Sequence, residues 1–271
     1  MILAGFVLLA VGAADLVRQF VPRRWVGYLV AAILLLLLGS VSDALLPMVA
    51  ALAAGAIWVW CMPDDRPSRA GFWPAVVLAV LSVGAVVAVG DRTETGLIGA
   101  IWHLRSPFGI VSFDLAILVI GVAAFLLESA NLVVRAALDG EHTWRPAEKA
   151  LATPPQNTSP QSAGATGESE TAASTSGVTT TAADAPRDRR GAFQGGRLIG
   201  PLERILVLML TLAAAYPILA AMLAAKGIVR FPEISKDGET GARAEYFLVG
   251  SLVSWVIALG AAFLVWWSAN S

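Results

Sequence analysis

Apolar residues in this chain come in long continuous runs rather than in the one-sided stripes of a water-facing helix. A helix needs about 20 mostly apolar residues to cross hydrocarbon. Seven runs approach that length: Ile2 to about Val21, Trp25 to about Ser40, Ala44 to Met62, Phe72 to Gly90, about Ile110 to Val134, about Gly200 to Ala225, and Glu245 to Trp267. Polar punctuation separates them, first Gly39-Ser-Val-Ser-Asp43, then Pro63 to Arg69 with two helix-breaking prolines. The segment 97–109 is too short and too charged to cross, and is expected to lie on the surface or dip back in. The pattern predicts an all-α, multi-pass transmembrane bundle of about seven spans.

Between the fifth and sixth runs the pattern stops. Residues 139–196 are Thr, Ser, Ala, Pro and Gly with scattered charge and no apolar period. Such a stretch cannot bury enough surface to offset the entropy of ordering. The expected organisation is a five-span membrane domain over 1–138, a disordered linker over 139–196 and a two-span module over 197–271.

Composition narrows the possibilities. The chain is 57% hydrophobic and 14% charged, with a mean hydropathy of +0.71, whereas a soluble domain carries about 25% charged residues. A net charge of −1 argues against nucleic acid, whose phosphates demand a basic surface. One cysteine, Cys61, and two histidines, His103 and His142, exclude an internal disulfide and leave too little for most metal sites. No phosphate-cradling glycine loop or zinc-protease motif occurs, so no cofactor is expected and an enzyme is disfavoured. No basic residue precedes the first run, which is therefore read as a retained span rather than a cleaved signal. The abundance of Ala, Val, Leu and Arg over Lys suggests a bacterial protein of the cytoplasmic membrane.

Lys and Arg concentrate on the cytoplasmic side of bilayers. With seven spans and the N-terminus outside, the outer side keeps only Arg92, Arg105, Lys226, Arg230, Lys236 and Arg243 of the 19. Trp25, Trp58, Trp60, Trp73, Trp266 and Trp267 then fall at the cytoplasmic interface. The expected topology is N-terminus outside, C-terminus inside.

Charge near lipid is costly and therefore has a partner or a task. Sorted by expected depth, a cytoplasmic layer holds Asp15 and Arg18, Glu128 with Asn131 and Arg135, and Glu203 with Arg204. Asp15 and Arg18 share a helix face, as do Glu128, Asn131 and Arg135. This layer reads as internal ion pairing, with Glu203 on Arg135 or Arg204, as a polar vestibule, or as arginines snorkelling to headgroups. An outer layer holds Asp114, Lys226, Arg230, Glu233 and Glu245. On the sixth span Ala213, Pro217, Ala221 and Ala225 recur every four residues, as do Gly250, Ser254 and Ala258 on the seventh. Small residues at this spacing let helices pack closely in lipid, so a tight hairpin is expected, with Pro217 kinking its helix.

Three ordered blocks carry a resemblance: Leu198-Ile-Gly-Pro-Leu-Glu203-Arg204, Ala225-Lys226-Gly-Ile-Val-Arg230-Phe231-Pro-Glu233, and Ala244-Glu245-Tyr246-Phe-Leu-Val-Gly250-Ser251. This stretch of about 60 residues resembles the C-terminal module of a group of uncharacterised bacterial and phage-borne integral membrane proteins. The resemblance lends no activity; it implies only that Glu203, Arg204, Lys226, Arg230 and Glu245 act as a set. Two functions remain open on the sequence. One is a channel- or transporter-like protein or membrane effector using its buried charges. The other is a non-catalytic scaffold or assembly subunit that binds a membrane partner or a second copy; a lipid-modifying enzyme comes third, with no identifiable nucleophile.

Overall fold

The structure, a computed structural model, describes residues 1–62, 71–88, 96–102, 104–106, 109–140, 195–235 and 242–271. The predicted linker, apart from its edges, lies outside the described residues, as do Asp64, Asp65, Asp91, His103 and His142. The described part is helical except for a two-residue antiparallel pairing of Arg105–Ser106 with Gly109–Ile110. Its helices are α1 (Ile2–Phe20), α2 (Arg24–Val41), α3 (Leu45–Cys61), α4 (Trp73–Ala88), α5 (Gly96–Ile101), α6 (Phe113–Ala124) and α7 (Ala130–Gly140). After the linker come α8 (Gly195–Leu212), α9 (Tyr216–Ser235) and α10 (Ala242–Asn270). A π-helical turn, Phe125–Ser129, joins α6 to α7. Among the described residues four helical stretches are long and apolar enough to cross a membrane: α1, α2, the continuous α6–α7 helix and α10. The chain is a membrane protein.

The bundle is built around α1, the most enclosed of these helices. Ile2, Phe6 and Val11 are wholly buried, and α1 packs on α3 and α6. Glycine makes the α1–α6 approach possible. A Cβ on Gly12 would stand 2.6 Å from the Ala124 carbonyl carbon, and one on Gly121 would overlap the Gly5 carbonyl oxygen. Van der Waals packing at this range replaces the hydrophobic drive that lipid does not supply. By contrast α2 turns Leu29, Ile33, Leu34 and Leu37 outward, as expected of a helix facing acyl chains. The short α5 sits against the α2–α3 turn, where Gly96, at φ +62°, comes so close to the Val41 carbonyl that a Cβ would stand 2.8 Å from it.

These pairings fix helix directions. Gly5 lies against Leu118 and Gly12 against Ala124, so α1 runs parallel to α6. Gly250 of α10 faces Leu138 and Val134, near the far end of α7. Further along, Ser254 is joined through Arg204 to Leu126. Rising numbers on α10 meet falling numbers on α6–α7, so α10 runs antiparallel to both α6 and α1. Met1 and the C-terminal end of α10 therefore lie at the same end of the bundle.

The sixth predicted span does not run through. Residues Ala213–Ala215 close α8 with paired backbone bonds, Ala215 N–H to Leu210 O and Ala214 N–H to Thr211 O, with Ala214 at φ +53°. This is the left-handed helix stop usually given to glycine. Pro217 is the reason. Continuing the helix would press its ring onto the Ala213 carbonyl and leave that carbonyl without a donor. In the first turn of a new helix the same proline is tolerated, and α9 starts at Tyr216. The expected kink is a reversal, and the expected pair of C-terminal spans is three helices.

Candidate functional site

Two buried arginines organise the polar interior. Arg18, in the last turn of α1, is 9% exposed, and Asp15 one turn earlier is 1% exposed. The Arg18 Nη1 donates to Asp15 Oδ1 at 3.2 Å and to the Met62 carbonyl at 2.7 Å. Its Nη2 donates to the Val59 carbonyl and its Nε to the Tyr28 hydroxyl at 3.2 Å. The Val59 and Met62 carbonyls belong to the end of α3, where a helix leaves its acceptors unsatisfied and carries partial negative charge. Asp15 completes the set by accepting from Trp58 Nε1 at 2.9 Å. One guanidinium thus joins α1, α2 and α3.

Arg204, on α8, is 3% exposed. Its Nε donates to Ser254 Oγ at 3.0 Å, and its Nη1 to the Asn131 Oδ1 at 2.8 Å and the Leu126 carbonyl at 3.2 Å. Leu126 lies within the π-helical turn, whose wider spacing loosens the ordinary ladder and opens a carbonyl to an outside donor. Asn131 relays the contact by donating Nδ2 to Glu128 Oε2 at 3.4 Å. This second guanidinium joins α8, α10 and the π-helical turn. The two nodes meet through aromatic rings: Trp58, bonded to Asp15, packs edge-on against Phe125 with centroids 6.1 Å apart.

Glu203 points elsewhere. Its Oε2 lies 2.6 Å from Lys226 Nζ, and its Oε1 accepts from Trp255 Nε1 at 2.8 Å. The Lys226 ammonium also stands 5.5 Å from the Trp255 ring centroid and 5.8 Å from that of Phe247. Glu203 and Lys226 lie about equally far on either side of Ala214, so the hairpin brings them together.

Several expectations change accordingly. The sequence places Lys226 in an outer layer away from Glu203 and Arg204 on the expectation that 200–225 crosses the bilayer; the reversal at Ala214 puts it against Glu203. Arg230 and Glu233, further along α9, follow Lys226 toward the end where α8 begins, and Glu245 lies in the first turn of α10 near the same end. The side chains of these three lie outside the described residues. Glu203 pairs with Lys226, not with Arg135 or Arg204. Arg135 is exposed, whereas Glu128 is buried and Asn131 half-buried. Trp58 is not an interfacial anchor; it is 3% exposed and committed to Asp15. Trp266 and Trp267 stand at the opposite end of the bundle from Trp25 and Trp60. Ala213, Pro217, Ala221 and Ala225 are exposed rather than packed on α10, whereas Ser254 and Ala258 are buried. Asp114 falls in the first turn of α6, capped by Ser112, whose hydroxyl accepts from the Leu115 N–H. There the helix dipole favours an acid, and Asp114 lies at the Met1 end, away from Lys226.

Among the described residues no three His, Cys, Asp or Glu side chains group as metal ligands. What the geometry defines is a helical membrane protein whose internal charges brace helix ends and a helical hairpin. No family model, no curated protein and no solved structure matches the chain.

Proposed function

We propose that this chain is a non-catalytic membrane scaffold or assembly subunit whose α8–α9 hairpin docks on another membrane protein. The observation that carries this reading is the uncovered hairpin. Its tip lies ten residues beyond Glu203, about 15 Å at 1.5 Å per residue, and the adjacent Arg204 is bonded to Leu126 at the middle of the Phe113–Leu138 span, so the turn stays within the length of that span. Lipid offers no partner to the carbonyls of a turn at that depth, so such turns occur only where protein or water covers them. Ala213, Ala214 and the small-residue face of α9 are exposed, with Ile218 at 61% and Val229 at 73%. The buried arginines support the same choice, since both are consumed in bracing contacts.

In this reading six helical segments cross: α1, α2, α3, α4, α6–α7 and α10, with α8–α9 entering and returning. Both termini are then external, and of the 19 Lys and Arg only Arg92 and Arg105 remain outside. That is a sharper bias than seven spans allow, because Lys226, Arg230, Lys236 and Arg243 join the inner set. The membrane is that of a bacterial cytoplasm. Reporters at Ser174 and after Ser271 test the topology: the first should read cytoplasmic and the second external, while two cytoplasmic readings restore seven spans. For docking, Ala221→Cys in a Cys61→Ser background should cross-link to one stoichiometric protein in native membranes. An uncross-linked monomer there would remove the scaffold reading. The second reading, a channel-like assembly, rests on the same turn being covered by water, and requires ion flux in liposomes above the protein-free level.

A further inference from the structure

The α6–α7 helix carries one residue too many for a regular α-helix. At the turn Phe125–Ser129 the Ala130 N–H reaches back five residues, to the Phe125 carbonyl. Such a turn is an α-helix with one residue inserted. Side chains hold its loosened acceptors. Arg204 Nη1 donates to the Leu126 carbonyl at 3.2 Å and to Asn131 Oδ1 at 2.8 Å, and Asn131 Nδ2 donates to the Leu127 carbonyl at 3.4 Å. Ser129 loses by the same arrangement. It is wholly buried, yet its hydroxyl makes no hydrogen bond. On α4 and α8 the hydroxyls of Ser82 and Thr211 each donate to the carbonyl four residues back. An α-helical turn would offer Ser129 the Phe125 carbonyl in the same way.

The two forms of this turn therefore satisfy different groups: the π form serves Arg204, and the α form serves Ser129. We propose that the seating of α8 sets the register of α7, Arg204 holding the turn in its π form and its withdrawal releasing the turn to α. A two-state element biased by a contact from a distant stretch of chain is what coupling physically requires. Absorbing the extra residue turns α7 by about 100° and advances it by about 1.5 Å against α6. Each place on α7 then passes to the residue one number lower, so Val133 takes the position of Val134. Whatever draws α8 aside thereby changes the face that α7 turns to α10. The coupling does not rest on what the α8–α9 hairpin docks on.

Gly250 of α10 reports the register. A Cβ there would stand 3.9 Å from Val134 Cγ1, which brings the two Cβ atoms near the separation that a disulfide spans. The full-length protein in membranes, with Cys61→Ser, carries Gly250→Cys together with either Val134→Cys or Val133→Cys. Disulfide yield is read after mild oxidation. With Arg204 in place the link should form through position 134. Arg204→Leu should shift the ratio of 134 to 133 linkage toward 133 by about tenfold, the scale of one hydrogen bond to a charged group. Arg204→Gln, too short to reach the Leu126 carbonyl, should do the same while keeping a polar side chain there. Deleting Leu127 removes the extra residue and should restore linkage at Val134 in either variant, which a merely loosened bundle would not show. Adding Ser129→Ala to Arg204→Gln should bring the ratio back by about fivefold; no response would remove the α form as the alternative. An unchanged ratio in both Arg204 variants overturns the proposal, as does a lost linkage that the deletion fails to restore.

Discussion

Arg18 and Arg204 face the same problem and meet it differently. Each is a guanidinium withdrawn from water inside a membrane bundle, and each donates to a main-chain carbonyl as well as to side chains. Arg18 has its carboxylate one turn away on its own helix, in contact at 3.2 Å. Its carbonyl partners come from an ordinary helix end. Arg204 reaches Glu128 only through Asn131, and its carbonyl partner exists because the α6–α7 helix is widened into a π turn. The neighbouring Glu203 is spent on Lys226 and Trp255. In the first node only the ion pair is local and two further helices complete it, while the second is assembled from four stretches of chain. One closes the N-terminal bundle and the other fastens the C-terminal helices to it.

That contrast can be broken. Arg18→Leu leaves Asp15 buried without its cation and removes the donor to the Val59 and Met62 carbonyls. It should cost about 3–5 kcal/mol, the usual penalty for half of a buried pair, read as a lowered unfolding midpoint in detergent. Asp15→Leu combined with Arg18→Leu should recover part of it; no recovery would mean that the carbonyl contacts, not the pair, dominate. Arg204→Lys keeps the charge but cannot reach Ser254, Asn131 and Leu126 together. A smaller loss of about 1–3 kcal/mol is expected, with a loosened α8–α10 contact visible as faster amide exchange in α8. An equal loss in both helices α1 and α8 would show the nodes to be one unit coupled through Trp58 and Phe125. Lys226→Met should cost least, about 1 kcal/mol or less, because the ammonium is partly open to solvent. Its signature is a red-shifted Trp255 emission, and an unshifted spectrum would argue that the hairpin is held without this pair.

The crossing helices were legible because hydropathy is a local property: a run of apolar residues is costly in water wherever the rest of the chain lies. The Asp15–Arg18 pair was legible for the same reason, as a one-turn spacing. The Glu203–Lys226 pair was not, because its existence depends on whether the chain passes through at Ala214 or returns. Pro217 was visible, but a proline permits either a kink or a stop. Trp58 resembled an interfacial anchor, since nothing in its neighbourhood in sequence names Asp15 as its partner. Nothing in the order of residues marks Gly5, Gly12 and Gly121 as contact points; only the α1–α6 approach shows what a Cβ there would strike.

The sequence alone determined that this protein lives in a bilayer, which stretches are apolar enough to cross, and that its inner charges need partners. Tertiary structure decided who those partners are, that the hairpin returns, and that both ends of the chain share one end of the bundle. The reason is physical: transfer into hydrocarbon is summed residue by residue along the chain. Direction and pairing are instead set by contacts between residues far apart, such as Gly12 with Ala124 or Arg204 with Ser254, for which a single chain read in order carries no local signal.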